Sequence, residues 1–159
     1  MRLHLVALDT GVLGLVTHPK PSPEAAACSA WVATLTRNGV RVVVPAIADY
    51  ELRREYELRN ALKAISELNT AKSLFGWLSI TDETLQRAAQ LWAQSRRVGQ
   101  PTSDAKALDG DCILVAQTQL EAERLNLQPD EWIIATTDVG DLPRLAPAQR
   151  WSDITSSTR

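Results

Sequence analysis

The stretch Leu3-His4-Leu5-Val6-Ala7-Leu8-Asp9-Thr10-Gly11 is an apolar segment followed by an acid. The run Leu3–Leu8 is apolar throughout except for His4, which is typical of a short buried strand. Val40–Val44 is a second short run, and its β-branched residues favour a strand. Helical segments separate such runs, and this alternation predicts an α/β domain with a mainly parallel sheet covered on both faces.

The rest of the chain continues the same alternation. We predict further strands at Trp77–Ile80, Trp132–Thr137 and Arg150–Ile154. We predict helices at Ala25–Thr36, Thr84–Arg97 and Cys112–Leu125, with a loop through Pro19 and Pro21 after the first strand. Another helical region begins at Pro45, and either Asn60 or Asn69-Thr70 permits a break that would divide it into two helices.

The composition is that of one globular domain. The chain has 159 residues, of which 45% are hydrophobic and 23% are charged, so it can bury a core and disorder is not expected. A net charge of −2 argues against wholesale wrapping of nucleic acid, although a basic rim around an acidic site is compatible with it. We predict a single domain over residues 1–154 and a flexible tail over residues 155–159.

Cysteine usage and hydropathy indicate the compartment. Cys28 and Cys112 lack metal-ligand spacing and fall in predicted helices, as expected for small buried residues in a reducing cytosol. No apolar run approaches the length of a transmembrane helix, and Leu3–Leu8 is too short for the core of a signal peptide. These features predict a cytoplasmic protein without a membrane partner.

Four acids that are far apart in sequence stand where a predicted strand ends or a predicted helix begins. They are Asp9, Glu51, Asp111 and Asp138. In an open α/β sheet, such positions converge on the crevice at the carboxyl ends of the strands. Carboxylates gathered there repel one another unless a hard cation holds them together, and Mg²⁺ and Mn²⁺ prefer oxygen ligands. The four acids therefore predict a site for Mg²⁺ or Mn²⁺.

Each acid also has an ordinary structural interpretation. Asp9 could form an Asx-turn at the end of its strand, and Glu51 could be solvated or could pair with Arg54. Asp111 could sit in the first turn of a helix, where the helix dipole favours an acid. Asp138 could cap the turn that follows its strand. The prediction of a metal site depends on all four acids reaching one edge of the sheet.

Asp111 carries the sharpest single argument, because it heads a stripe with the spacing of a buried helix face. That stripe consists of Leu114, Val115, Thr118, Ala122 and Leu125. An acid on a buried face is costly unless something pairs with it. Nearby acids offer alternative ligands, namely Asp104, Asp109 and Asp141.

The acids lie within strings that resemble the motifs of PIN-domain nucleases, and by length the chain is most similar to the VapC-type toxins of bacterial toxin–antitoxin pairs. The strings are Leu8–Leu13, Val44–Leu52, Gly110–Gln117 and Thr136–Asp138, and in order and spacing they cover essentially the whole chain. The resemblance implies a three-layer α/β/α fold with a sheet of about five short strands. It implies RNA cleavage that depends on Mg²⁺ or Mn²⁺ and leaves a 5′-phosphate. It also implies a homodimer and a small antitoxin protein that blocks the site. The residues that it assigns as both catalytic and metal-binding are Asp9, Glu51, Asp111 and Asp138.

Other residues are candidates for contacts with partners. The candidates for binding RNA phosphates are Arg53, Arg54, Arg96, Arg97 and Lys106. Arg53 and Arg54 come first because they share the predicted helix of Glu51, and the alternative is a solvated face. The helical segment Tyr56–Phe75 either packs in the core or offers an apolar groove to a partner helix.

Three functions from different classes compete. The first is the metal-dependent ribonuclease, and the second is a catalytically inactive PIN-like interaction module, which would be expected to lack one of the four acids. The third is a phosphotransfer protein. A receiver domain needs a lysine after its last strand, and a haloacid-type phosphatase needs a second acid where Gly11 stands, so neither pattern is met. We therefore predict the ribonuclease.

Overall fold

A computed structural model of the chain describes residues 2–99 and 105–156, leaving aside the side chains of residues 105 and 106. The described residues form five strands, β1 (Leu5–Leu8), β2 (Arg41–Pro45), β3 (Gly76–Leu78), β4 (Trp132–Thr136) and β5 (Ala148–Arg150). They make one sheet in the order β3-β2-β1-β4-β5, and every neighbouring pair is parallel. This confirms the predicted α/β class with a parallel sheet of about five short strands.

Six helices cover the two faces of the sheet. They are α1 (Thr10–Val16), α2 (Pro23–Arg37), α3 (Ala46–Leu58), α4 (Leu62–Leu74), α5 (Asp82–Arg97) and α6 (Ala105–Arg124). On one face, Val6 and Leu8 of β1 share a core with residues of α1 to α4. On the other face, Leu5 and Ala7 share a second core with residues of α6. Because strand side chains alternate between faces, a strand covered on both sides must be apolar at every position, as β1 is.

Helix α1 was missed, because the sequence predicted a loop between β1 and the next helix. The structure places Asp9 at the N-cap of α1, where its Oδ1 accepts a hydrogen bond of 3.0 Å from the Val12 amide. Val12 and Leu13 are fully buried. Gly11 and Gly14 lower helix propensity, and a seven-residue helix is too short to display a clear 3.6-residue period. Tertiary burial of α1 therefore outweighs its weak propensity.

The prediction that Asp111 starts its helix was wrong. Helix α6 begins at Ala105, so Asp111 lies almost two turns inside it. Good helix formers such as Ala107 and Leu108 extend the helix on the N-terminal side of its predicted start at Cys112. Since the helix dipole acts within the first turn, it no longer accounts for an acid at position 111. In the predicted stripe behind Asp111, Leu114, Val115, Thr118 and Ala122 are buried, whereas Leu125 is half-buried and lies just beyond the end of α6.

The remaining differences concern boundaries. The long helical region breaks at Asn60, whose φ of 52° ends α3, and Asn69-Thr70 continues inside α4. The last strand ends at Arg150 rather than at Ile154, because Trp151 leaves the sheet and packs against Trp31 with ring centroids 5.6 Å apart. Residues 157–159 of the predicted flexible tail lie outside the described residues.

Across the described residues, no helix is both long enough and apolar enough to cross a bilayer.

Candidate active site

Three of the four predicted acids line one crevice at the carboxyl edge of the sheet. Asp9 follows β1, Glu51 lies on α3 and Asp111 lies on α6, and together with neighbouring residues they enclose about 230 Å³. The crevice forms because β1 and β2 are adjacent parallel strands whose carboxyl ends reach the same edge. Helix α3 starts directly after β2, which carries Glu51 to this edge.

The carboxylate of Glu51 is held between two other elements of the crevice. The hydroxyl of Thr10, at the start of α1, donates a hydrogen bond of 2.7 Å to Glu51 Oε1. On α6, a Cβ atom added to Gly110 would lie 2.6 Å from Glu51 Oε2, so glycine makes room for the acid. Sequence patterns did not identify Thr10 or Gly110 as site residues. Their signal was position, since each directly flanks a predicted acid.

Asp9 combines a structural role with an unfavourable charge. Burial raises the pKa of its carboxyl, and repulsion from Glu51 adds to that effect. Hydrogen bonds from the Thr136 side chain and from the amides of Val12 and Gly11 oppose the rise in pKa. The Thr136 hydroxyl has one proton and two acceptors in reach, since it also donates to the carbonyl oxygen of Asp138 at 2.8 Å. The hydrogen bonds that Asp9 accepts at the cap of α1 therefore do not replace a positive charge beside its carboxylate.

Asp111 is the most perturbed acid of the crevice. The pKa of its carboxyl is raised to about 6, chiefly by burial. Repulsion from Glu51, Asp9 and Asp141 adds to this rise, and the contribution decreases in that order. Among the side chains that the structure describes, no lysine, arginine or histidine forms an ion pair with Asp9, Glu51 or Asp111. The negative charge of the crevice is thus uncompensated by these residues.

Asp138, the fourth predicted acid, reaches the same edge of the sheet but not the lining of the crevice. It is exposed, and its Oδ1 accepts a hydrogen bond of 3.2 Å from the Gly140 amide. Asp141 is half-buried and lies close enough to raise the pKa of Asp111, although it also forms an ion pair of 3.4 Å with Arg144. Asp104 lies outside the described residues. The assignment of Asp138 as the fourth ligand stays a prediction, and Asp141 is its nearest competitor.

The oxygen atoms that line the crevice are of the kind that bind a hard cation, but they are too far apart to share one ion as they stand. Carboxylate and hydroxyl oxygens line the crevice, and these are ligands that Mg²⁺ and Mn²⁺ accept. Within the described part of the chain, no three histidine, cysteine, aspartate or glutamate side chains stand close enough together to share one ion. Holding an ion would therefore require the carboxylates to rotate toward one another, and the charge of the ion would offset the repulsion between them.

The predicted phosphate-binding arginines differ in their availability. Arg53 donates to both oxygens of Asp49 at 2.8 and 3.0 Å and to Asn69 Oδ1 at 2.8 Å, so its guanidinium is engaged within the fold. Asp49 is buried, and the sequence analysis missed it. Arg54 is exposed and lies over the ring of Tyr50, 5.4 Å from the ring centroid. Of the two arginines placed first by sequence, Arg54 is the one free to meet a phosphate.

The segment Tyr56–Phe75 packs in the core in part, and its use as an apolar groove for a partner helix stays a prediction. Tyr56 and Leu68 are buried in the core. Leu58 and Leu62 are instead 79% and 76% exposed, on either side of Asn60, which turns the chain between α3 and α4. The segment therefore buries one side in the core and leaves Leu58, Leu62 and Leu74 exposed.

No protein-family model matches the chain, and no curated protein matches its sequence. The fold, however, is shared with solved structures. A chain of VapBC2 from Rickettsia felis, bound to a DNA fragment from its promoter, aligns with a TM-score of 0.68 at 13% identity, over 92% of this chain and 98% of that one. A chain of VapBC-1 from nontypeable Haemophilus influenzae aligns with a TM-score of 0.64 at 15% identity, over 94% and 99%. A chain of DNA-bound VapBC from Salmonella typhimurium aligns with a TM-score of 0.59 at 16% identity, over 94% and 99%. These likenesses confirm the PIN-like fold that the motifs predicted.

Proposed function

We propose that the protein is a ribonuclease that depends on Mg²⁺ or Mn²⁺ and acts as the toxin of a type II toxin–antitoxin pair. The observation that carries this proposal is the group of uncompensated carboxylates in the crevice, Asp9, Glu51 and Asp111, on a PIN-like fold. Asp138, on the same edge, is proposed as the fourth acid. The shared fold supports the proposal, and the charge of the crevice supports its chemistry.

The residues of the crevice divide the work as their contacts indicate. Asp9 and Asp111 would hold the ion, and Glu51 would join them in the orientation that Thr10 gives it. The bound ion would supply Lewis acidity for hydrolysis of a phosphodiester, by lowering the pKa of water and offsetting charge on the phosphate. A proton on Asp111 would weaken the site, because only the ionised carboxylate is a strong ligand for a hard cation.

The size of the crevice favours a polymer substrate over a free nucleotide. At about 230 Å³ it is smaller than the range of roughly 300–1,000 Å³ that is usual for pockets enclosing a small molecule. A phosphate group of the RNA can enter the crevice while the rest of the RNA stays on the rim. Arg54, which is exposed on the helix of Glu51, is the proposed contact for a neighbouring phosphate.

The partners follow from the same family resemblance. The three structural relatives are VapBC complexes, and we propose that this chain likewise binds a small antitoxin protein and forms a homodimer. We propose the cytoplasm as its compartment, where both RNA and the antitoxin would be present. Cleavage would leave a 5′-phosphate.

A catalytically inactive PIN-like interaction module is the second candidate. The observation that favours it is that no three of the described acids are close enough to share an ion. Such a module would keep the fold and the partner without cleaving RNA.

RNA cleavage distinguishes the two candidates. A panel of RNAs is incubated with wild type, Asp9→Asn and Glu123→Gln in the presence of Mn²⁺ or Mg²⁺, and then with a chelator. Glu123 is the matched control, because it is an acid that pairs with Arg87 at 2.7 Å and lies outside the crevice. We expect cleavage by wild type and Glu123→Gln, loss of cleavage in Asp9→Asn, and no product after chelation. Cleavage by Asp9→Asn at the wild-type rate would contradict the proposed site, and a wild type that binds antitoxin but cuts no RNA would favour the inactive module.

A further inference from the structure

A buried amide side chain lies behind the crevice and outside its lining. Gln117 on α6 is 3% exposed, and its side chain bonds to two other elements. Its Nε2 donates a hydrogen bond of 2.6 Å to the carbonyl oxygen of Leu78, the last residue of β3. Its Oε1 accepts a hydrogen bond of 3.3 Å from the amide of Ile47, in the first turn of α3. One side chain thus joins α6, β3 and α3.

Glutamine is well suited to this position. Its terminal amide carries both a donor and an acceptor, and only one orientation of it satisfies the Leu78 carbonyl and the Ile47 amide together. Glutamate lacks the donor, and methionine, with a similar shape, lacks a strong group of either kind. The two groups that Gln117 joins are close in the fold, since Leu78 pairs in register with Pro45 at the end of β2.

Helix α3 needs such a partner because its own N-terminus is poorly capped. The N-cap residue is Pro45, which makes no side-chain hydrogen bond to the helix. The first amides of a helix have no acceptor within the helix and must find one elsewhere. Gln117 provides that acceptor for Ile47 from a different helix, so the start of α3 is fixed relative to α6.

The two helices joined by Gln117 are those that carry two of the crevice acids. Glu51 lies one turn after Ile47 on α3, and both residues line the crevice. Asp111 lies six residues before Gln117 on α6 and faces Glu51 across the crevice. The two carboxylates repel each other, and the hydrogen bonds of Gln117 oppose the separation of α3 from α6.

We propose that Gln117 is a positioning residue for this site, because its amide sets the spacing between the helix of Glu51 and the helix of Asp111. The inference rests on the proposed metal-dependent function and identifies the residue that fixes the distance between Glu51 and Asp111. Gln117 itself does not touch the substrate or the ion. It acts through the start of α3, and its loss lets Glu51 move away from Asp111.

The test compares two neighbouring substitutions on α6. Gln117→Met keeps the volume of the side chain and removes both hydrogen bonds. Thr118→Val is the matched control, because Thr118 is fully buried and its hydroxyl donates only to the Leu114 carbonyl of the same helix, at 2.9 Å. Both substitutions remove a buried hydrogen-bonding group, but only the first removes a connection between helices. Gln117→Asn, whose amide is too short to reach both partners, serves as a second variant if Gln117→Met does not fold.

Three measurements are made on the full chain. Hydrogen exchange reports the protection of the Ile47 amide, calorimetric titration reports the affinity for Mn²⁺, and RNA cleavage reports kcat and KM separately. We expect Gln117→Met to lose protection at Ile47 and to bind Mn²⁺ about tenfold more weakly or worse, the usual range for residues that orient metal ligands. Its kcat should fall with KM nearly unchanged. Thr118→Val should stay within about twofold of wild type in Mn²⁺ affinity.

The outcomes separate this inference from the proposed function. If Gln117→Met exposes the Ile47 amide but binds Mn²⁺ and cleaves RNA as Thr118→Val does, Gln117 is merely structural and the inference is overturned. If the Ile47 amide stays protected, the connection itself is refuted. If wild type neither binds Mn²⁺ nor cleaves RNA, the proposed function fails first and the inference fails with it.

Discussion

Helix α6 carries one buried acid, Glu121, and one half-buried acid, Asp111, and the fold treats them in opposite ways. Glu121, near the end of the helix, has a side chain only 8% exposed and receives hydrogen bonds from Arg41 and Arg124 at 2.8–3.1 Å. These bonds, chiefly those from Arg124, hold the pKa of its carboxyl below the usual range. Asp111, ten residues earlier and about 15 Å away along the helix, has a pKa raised to about 6 and other acids as neighbours.

The difference shows which acid serves the fold. Arg41 begins β2, so Glu121 is neutralised at the amino edge of the sheet, where the chain supplies its own cations. At the carboxyl edge, Asp9, Glu51 and Asp111 meet without a counter-charge from the described side chains. The fold supplies two arginines to neutralise Glu121 but leaves these three acids without a positive partner among the described side chains. Acids with perturbed pKa values in a cleft are typical of functional sites.

The largest contrast is expected in RNA cleavage. Asp111→Asn removes an ionised ligand while keeping the shape of the side chain, so we expect the rate to fall by roughly 10²-fold or more, the scale for losing one positioned electrostatic group. Glu121→Gln, on the same helix, should cleave within about twofold of wild type, since it lies at the opposite edge. A gel assay with Mn²⁺ measures both rates, and equal losses in the two variants would erase the distinction between the edges.

Added metal should stabilise the carboxyl edge alone. Mn²⁺ at about 100 times its dissociation constant should raise the free energy of unfolding of wild type by about 2.7 kcal/mol. Asp111→Asn should show little of this gain, whereas Glu121→Gln should show all of it. Thermal melting with and without Mn²⁺ provides the measurement, and an equal rise in wild type and Asp111→Asn would place the bound ion elsewhere.

Without metal, only one of the two substitutions should lower the free energy of unfolding. Glu121→Gln weakens hydrogen bonds between a buried carboxylate and two arginines, so we expect a loss of about 2 kcal/mol in the free energy of unfolding. Asp111→Asn removes a repelling charge and should leave stability unchanged or higher at neutral pH. Urea denaturation in a chelating buffer gives both values. Destabilisation by Asp111→Asn would mean that an undetected contact compensates this acid.

Acidity should act on Asp111 in a defined window. Its pKa in the folded protein is about 6 against a usual value of 3.8, so the folded state binds its proton more tightly than the unfolded state does. The metal-free protein should therefore gain stability as the pH falls from above 6 toward 4. Mn²⁺ competes with that proton, so its affinity should be about tenfold lower at pH 5 than at pH 7.5. Calorimetric titration at both values measures the change, and equal affinities would exclude protonation of the ligands.

The smallest expected effects distinguish two neighbouring acids. Asp141→Asn removes a charge that raises the pKa of Asp111, so it should move the pH profile of Mn²⁺ binding slightly toward acid. Asp138→Asn should instead weaken cleavage by roughly tenfold if Asp138 is the fourth ligand, within the range for orienting and ligand contacts. If Asp141→Asn loses cleavage while its pH profile of Mn²⁺ binding is unchanged, the fourth ligand is Asp141 rather than Asp138.

Much of the fold was predictable because it depends on contiguous residues. The apolar run at β1 and the β-branched run at β2 encode buried strands locally, and the alternation with helices encodes a parallel sheet. Helix α1 was not predictable in this way, because its two glycines disfavour a helix and it is stabilised by the Asp9 cap and by burial of Val12 and Leu13. The start of α6 was misplaced because polar residues between helices resemble a loop.

The sequence by itself determined the order of the strands along the chain, the buried stripe of α6 and the meeting of Asp9, Glu51 and Asp111 at one edge. These follow from periodicity and from the rule that parallel strands end on the same side. Only the tertiary structure decided that Glu121 is compensated, that Arg53 is engaged, that Asp138 is exposed and that Gln117 joins α3 to α6. The physical reason is distance in sequence: Arg41 and Glu121 stand eighty residues apart, and no local pattern records which charges will be brought together by packing.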